Sequence, residues 1–461
     1  MKKHLCSLLL AATVLYACDG PDMIAYVFAL DHQVGILDYS GTPGGNDFVS
    51  TSASVKLLSS FNWSMQNTAP NFIHVEPVGD NGEGGVCIFR VFLRPEFANA
   101  YDNNSAAFPD DYVGSLIFLS ARGQVEYKLY GPGRGTASNP YKIATLEQLN
   151  NVRNELRAHY LLMANIDTKT FNRQTGGIIG GGWTPIGDIA DPFTGNFDGN
   201  GYSISYGISP TGGETTNLYG LFGAIDGGKV SHLSVNGKIH NEAGLTGGMF
   251  VGGIVGVLQA GGEVQACASE VVLDVRAAGS IHAGGIAGWV NEGHIENCFA
   301  TGAVNALRAP VTMVGGSGFA GGIVGLLAEA SSIRSCYATG SISAFGWSTT
   351  FIGGIAGAAN DNAVIQHCVA LNADFSNEAI AHRVLGKEYG TVTLGNNYGN
   401  KDMLYIYSSS IWTNNPSGLD GAECDARPIK NWWTNAAPEG PGWTFGSIWV
   451  WDATVQLPKL K

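Results

Sequence analysis

Five segments of this chain share a Gly-[Ile/Leu]-x-Gly signature: Gly220-Leu-Phe-Gly223, Gly253-Ile-Val-Gly256, Gly285-Ile-Ala-Gly288, Gly322-Ile-Val-Gly325 and Gly354-Ile-Ala-Gly357. They open 33, 32, 37 and 32 residues apart. A second landmark follows each opening glycine by 13 or 14 residues: Leu233, Cys267, Cys298, Cys336 and Cys368. Three residues before it stands Val230, Val264, Ile295, Ile333 or Ile365. The array runs from about Tyr219 to Tyr398, and its one long interval contains Pro310, Gly315, Gly316 and Gly318, which reads as a loop extruded at 305–318. A fixed period of this size with short apolar strands marks a solenoid.

Some thirty residues holding two or three short strands cannot enclose a core alone. Stacked at about 4.8 Å per coil, each strand pairs with its counterparts above and below, and equivalent side chains form ladders. Ile254, Ile286, Ile323 and Ile355 make one interior ladder, and the Val/Ile series from 230 to 365 another. Connections between parallel strands are nearly always right-handed, so a right-handed parallel β-helix is the expected form. The cysteines read as small apolar side chains filling a recurring slot, because Leu233 occupies it in the first coil. In-register strands aim their Cβ atoms in parallel, a poor geometry for disulfides, so free buried thiols are expected. No CxxC pair exists for zinc, and neither metal nor cofactor is expected.

The first residues read as an address. Lys2, Lys3 and His4 precede an apolar run from Leu5 to Tyr16 that is too short to span a bilayer. Setting aside Lys2 and Lys3 leaves 23 basic against 38 acidic residues, a formal charge of −15 with no Lys/Arg cluster, which argues against a nucleic-acid partner. The 65 glycines and scarce charged residues suit sheets with tight turns rather than helical bundles.

Several stretches resemble known families. Leu15-Tyr16-Ala17-Cys18 resembles the bacterial lipoprotein box, which implies cleavage before Cys18, lipid on its sulfur, and an outer-membrane anchor at the cell surface. The Gly-[Ile/Leu]-x-Gly repeats, with Cys298-Phe-Ala-Thr-Gly and Cys336-Tyr-Ala-Thr-Gly, resemble the GLUG-motif repeats of bacterial surface proteins over roughly residues 136–400. Pro140-Tyr-Lys-Ile, Trp183-Thr-Pro-Ile-Gly187 and Phe193-Thr-Gly-Asn-Phe-Asp-Gly-Asn-Gly201 extend the match. That resemblance implies adhesion or surface binding. A degenerate last coil is expected at Arg383-Val-Leu-Gly386, with Tyr398 standing about where the cysteine should be.

Residues 22–131 show no repeat. Alternating stretches at 53–57, 73–78, 86–92, 114–119 and 125–130, separated by Gly, Pro, Asn and Asp, predict an Ig-like β-sandwich. Phe61-Asn-Trp-Ser64 and Ile73-His-Val-Glu-Pro77 resemble the BACON domain in part, with Phe72 where that family tends to have a second Trp. The resemblance implies glycan or mucin contact, or a spacer between anchor and solenoid; the spacer is favoured. Gly131-Pro-Gly-Arg-Gly135 reads as the hinge. The last sixty residues hold Trp412, Trp432, Trp433, Trp443, Trp449 and Trp451. They predict an aromatic cap over the open end of the solenoid. Trp432 and Trp433 are neighbours, so in an extended segment only one points inward, and the other is the candidate exposed contact for a ligand.

The chain therefore reads as all-β, with a signal peptide at 1–17, a sandwich at 18–131, a β-helix at 132–400 and a cap at 401–461. An enzyme is the rival reading, because β-helices house polysaccharide lyases and hydrolases, and hydrolases need paired carboxylates about 5–10 Å apart. Asp274, Glu292, Glu296, Glu329 and Asp361 are the acids of the array, but they do not recur at one ladder position. Asp198-Gly-Asn-Gly201 reads as turn chemistry, and His232 and His367 share a ladder position at opposite ends of the array. The expected function is a monomeric, non-enzymatic, lipid-anchored surface protein binding a glycan, mucin or matrix ligand. A purely structural stalk is the third reading.

Overall fold

The computed structural model describes residues 28–461 apart from 31–32, 38, 41–48, 51, 60–61, 79–84, 104–107, 122, 173, 175–176, 179–181, 211–216, 242–244, 246, 310–315, 348, 377–379 and 406–411. Cys18 and the signal segment lie outside the described residues, as does the middle of the expected loop at 305–318. Two compact units divide after Gln148.

The first unit is a sandwich of two four-stranded sheets. Its strands are β1 (Phe28–Leu30), β2 (Val34–Ile36), β3 (Ser52–Ser59), β4 (Trp63–Asn67), β5 (Ile73–Val78) and β6 (Gly85–Leu93), followed after helix α1 (Pro95–Asn103) by β7 (Tyr112–Ser120) and β8 (Gly123–Tyr130). One sheet runs β1-β3-β6-β5 and the other β2-β8-β7-β4. Alternation in the sequence places Val55, Leu57, Phe89 and Val91 of one sheet against Leu116, Phe118, Tyr127 and Leu129 of the other. Trp63 fills the space between them, edge-on to Phe89 at 5.5 Å and to Phe118 at 5.8 Å. Phe72 packs against Phe97 and Phe108. Trp63 and Phe72 of the BACON-like match are thus committed to packing. Beyond the glycine-rich segment, Asn139 and Lys142 bond the buried carboxylate of Asp111, which ties those two residues to this unit.

In the second unit each coil passes through four strands, here assigned to faces A to D. In the first coil with all four well formed, Met249–Gly252 lies on face A, Val255–Gln259 on B, Glu263–Gln265 on C and Ala268–Ala277 on D. Every one of these strands pairs in parallel with the equivalent strand of the next coil. Val230, Val264, Ile295, Ile333 and Ile365 pair in register and are fully buried. Ile254, Ile286, Ile323 and Ile355 are likewise fully buried, at the corner between A and B. The parallel β-helix expected from the repeat is the fold of this unit.

Leu233, Cys267, Cys298, Cys336 and Cys368 form the predicted interior ladder, and the cysteines are free thiols. Each cysteine Sγ donates to the carbonyl two residues earlier at 3.1–3.2 Å. The residue before each landmark turns the corner from C to D in left-handed conformation: His232, Ala266, Asn297, Ser335, His367 and Asn396 all have φ of 50–58°. This explains the shared position of His232 and His367. The sixth coil corrects one expectation. Asn397, not Tyr398, takes the cysteine slot, because its buried Oδ1 accepts the Cys368 N–H at 3.0 Å while Nδ2 donates to the Ile365 carbonyl at 2.7 Å. Tyr398 sits one residue further on, in register with Val369.

The C-terminal segment closes the array in two parts. Over the last coil, Arg383 takes the place of a signature glycine and is wholly buried. Its guanidinium donates to the carbonyls of Thr413, Asp420 and Gly421, which satisfies a charge that an apolar end could not hold. Trp412 packs on Phe375 and donates to the Met403 carbonyl near this end, while the other C-terminal tryptophans lie along the flank. Outward residues of face D, Phe299, Tyr337, Val369 and Tyr398, are in register. Trp433, Trp443 and Trp449 are buried against them, with the Trp443 and Trp449 rings stacked at 4.7 Å. Trp443 Nε1 donates to the His367 carbonyl and Trp449 Nε1 to Asn297, so this clasp reaches back across several coils.

Candidate binding site

The corner between faces A and B builds the most distinctive surface. A Cβ on Gly284 would lie 2.2 Å from the Ala287 carbonyl oxygen, and one on Gly288 would lie 2.4 Å from the Val251 backbone nitrogen. Only glycine permits the two backbones to approach this closely. The corner is consequently so sharp that side chains pointing away from the core on face A meet those of face B. From face A come Phe250, His282, Phe319 and Phe351, paired in register. From face B come Val257, Trp289, Leu326 and Ala358, also in register. Rings run continuously up this corner: Phe250 to His282 at 4.8 Å, His282 to Phe319 at 4.9 Å, Phe319 to Phe351 at 5.8 Å and Phe351 to Tyr389 at 6.1 Å. Trp289 stacks on Phe250 at 5.5 Å.

At the distal end the corner opens into a groove of about 380 Å³, lined by Phe319, Leu326, Glu329, Asn360, Asp361, Tyr389 and Gly390. Tyr389 is 40% exposed. Asp361 is held by the Thr391 N–H, which donates to Oδ1 at 2.8 Å, and its carboxylate packs on Gly390 where any side chain would collide with it. Ring faces beside two carboxylates and an amide can take a ligand with an apolar face and hydroxyl or N–H edges. Lower on the same corner, burial pushes the His282 imidazole down to about 4, and its Nδ1 has no hydrogen-bond partner.

A second groove, of about 510 Å³, crosses face C and is lined by Lys229, Glu263, Gln265, His294, Glu296 and Arg334 among others. Its polar groups largely satisfy one another: Lys229 pairs with Glu263 at 2.9 Å and Gln265 at 2.7 Å, His294 with Ser332, and Arg334 with Gln366. It has the character of a solvated face.

Of the acids singled out from the sequence, Glu329 and Asp361 come together in the aromatic groove and Glu296 lies on face C. Asp274 pairs with His240 at 2.9 Å, and Glu292 occupies a left-handed turn. Asp198 bonds the Asn200 N–H and His232, as turn chemistry requires. Trp433 is fully buried, and Trp432 is half-buried edge-on to Tyr398 at 4.9 Å, within a short 3₁₀ turn rather than an extended segment. The face A ladder was not anticipated, although its signal is simple: Phe250, His282, Phe319 and Phe351 each stand three residues before a signature glycine. Among the described residues no three His, Cys, Asp or Glu side chains cluster as metal ligands would.

One coil, from just before its face A strand into the following face D strand, agrees with a family model. Residues 279–305 carry the GLUG motif. Beyond the motif, 119 residues are 41% identical to a protein of Evansella cellulosilytica named a Gly-rich membrane protein, covering 25% of this chain and 13% of that one. A longer stretch of 264 residues is 31% identical to halomucin of Haloquadratum walsbyi, covering 50% of this chain and 3% of halomucin. The chain thus spans only a small part of either relative's length. A solved structure of an IgA1 protease aligns over 84% of this chain and 28% of its own, at 15% identity and a TM-score of 0.36.

Proposed function

We propose that this is an exported, lipid-anchored cell-surface protein whose GLUG coils bind a glycan, mucin or matrix ligand in adhesion, without catalysing a reaction on it. The observation that carries the reading is the groove at Phe319 and Tyr389, where ring faces stand beside Glu329, Asn360 and Asp361. Sugars present that combination in reverse, with apolar C–H faces and hydroxyl edges. The aromatic contact is thereby moved from Trp432 and Trp433 to the A/B corner. The names of the two relatives support a surface location. The N-terminal sandwich serves as the spacer from the lipid on Cys18, a role its inward-facing Trp63 and Phe72 favour.

A glycan array, followed by titration of the retained sugars, tests this. Tyr389→Ala should weaken binding about tenfold or more while leaving the thermal transition near that of the parent protein, since Tyr389 is substantially exposed. An unchanged affinity would place the ligand elsewhere. The enzyme reading, a lyase or a glycoside hydrolase, draws on Glu329 and Asp361 sharing the groove, and release of reducing ends from any polysaccharide would replace binding by cleavage. Stable co-purifying proteins with no retained sugar would favour the structural stalk.

A further inference from the structure

We infer that the groove at Phe319 and Tyr389 accepts saccharides without acidic groups and turns away uronic-acid, sialylated and sulfated chains; this rests on the glycan-binding reading above. The carboxylates lining the groove are Glu329 and Asp361, and none of the described lining residues is basic. Carboxylates only accept hydrogen bonds, so a ligand edge seated against them must donate, as hydroxyl, amide N–H and ammonium groups do. An acidic sugar would set its own acceptor-only anion beside them. Asp361 is poorly placed to swing aside, because the Thr391 N–H and the backbone at Gly390 hold its carboxylate. The ammonium of Lys387 lies 5.8 Å from the Tyr389 ring centroid, where the ring face attracts it. His282, which touches Phe319 edge-on, stays neutral at pH 7 because its burial holds it near 4. The whole chain adds a long-range bias of the same sign, with a formal net charge of −13.

The test uses the full chain and probes in pairs that share a sugar backbone and differ chiefly in charge: methyl-esterified and free hexagalacturonate, chitohexaose and its carboxymethylated form, and dextran and dextran sulfate. Within each retained pair, the acidic member should bind about tenfold or more weakly at low salt, with the gap narrowing at high salt. The E329Q/D361N variant keeps the shape and most hydrogen-bonding capacity of the groove. It should bring the acidic member to within about threefold of its neutral partner, whatever it does to the affinity of both. An acidic probe that binds as tightly as its neutral partner overturns the inference while leaving glycan binding intact. So does a gap that E329Q/D361N fails to close. Retention of no saccharide at all, on these probes and across the array, overturns the glycan reading itself and this inference with it.

Discussion

His282 interrupts an otherwise phenylalanine ladder, and replacing it should both stabilise the protein and remove a component of its acid sensitivity. The ring stands edge-on between Phe250 and Phe319, is partly buried, and leaves its enclosed Nδ1 without a partner. Burial disfavours the charged imidazolium and lowers its pKa from 6.5 to about 4. Between those two values the unfolded chain binds a proton on this residue and the folded chain does not. Stability must therefore fall as pH falls from about 6.5 to 4. At about 1.4 kcal/mol per unit, the full effect is on the order of 3 kcal/mol. His282→Phe removes the titration, extends the ring ladder and eliminates a buried unsatisfied nitrogen worth about 1–3 kcal/mol. Urea unfolding of parent and variant at pH 7.5, 6.5, 5.5 and 4.5 would measure this. The variant should be the more stable at every pH, and its advantage should grow by about 2–3 kcal/mol from the highest pH to the lowest. An advantage that does not change with pH would refute the assignment of a buried neutral imidazole. A variant less stable throughout would refute the packing argument.

Cys267, Cys298, Cys336 and Cys368 are completely buried, and burial pushes the thiols of Cys267 and Cys336 up. Iodoacetamide should leave all four unlabelled in native protein and label them fully in denaturant; rapid native labelling, read by mass spectrometry, would contradict the stacked core. Ser335 turns its corner at φ 51°, so Ser335→Gly should raise the urea midpoint by an amount equivalent to about 1 kcal/mol, and a lowered midpoint would count against strain at that corner. Trp443 is 4% exposed between Trp433 and Trp449, and Trp443→Ala should cost about 3–5 kcal/mol. Limited proteolysis should then cut within residues 430–461 first; resistance equal to that of the parent would argue that the clasp is held elsewhere.

Much of the second unit is legible as ladders in the sequence, and the reason is physical. In a parallel in-register stack, one position in the period meets the same environment in every coil. A row of Ile at 254, 286, 323 and 355 therefore reports burial directly. The thiol ladder was legible for the same reason, with Leu233 revealing its apolar character. The sixth coil was misread by one residue because asparagine can imitate the cysteine's hydrogen bonds, while periodicity of apolarity alone favours Tyr398. The tryptophans were correctly read as packing residues, but their sequence positions carry no information about which surface they cover. The 3₁₀ turn at Lys430–Thr434 sends Trp433 inward and leaves Trp432 at the edge.

The repeat by itself determined the parallel β-helix, its coil length and the identity of its interior, because each coil can bury its strands only against a copy of itself. It did not reveal the groove. Phe319, Asn360 and Tyr389 come from three successive coils, and Phe319 and Leu326 from two different faces. Their meeting depends on how sharply faces A and B fold together at the glycines. That angle is a property of packed backbones, as is the flank on which the clasp comes to rest, so only the tertiary structure could decide where this molecule offers a surface to a ligand.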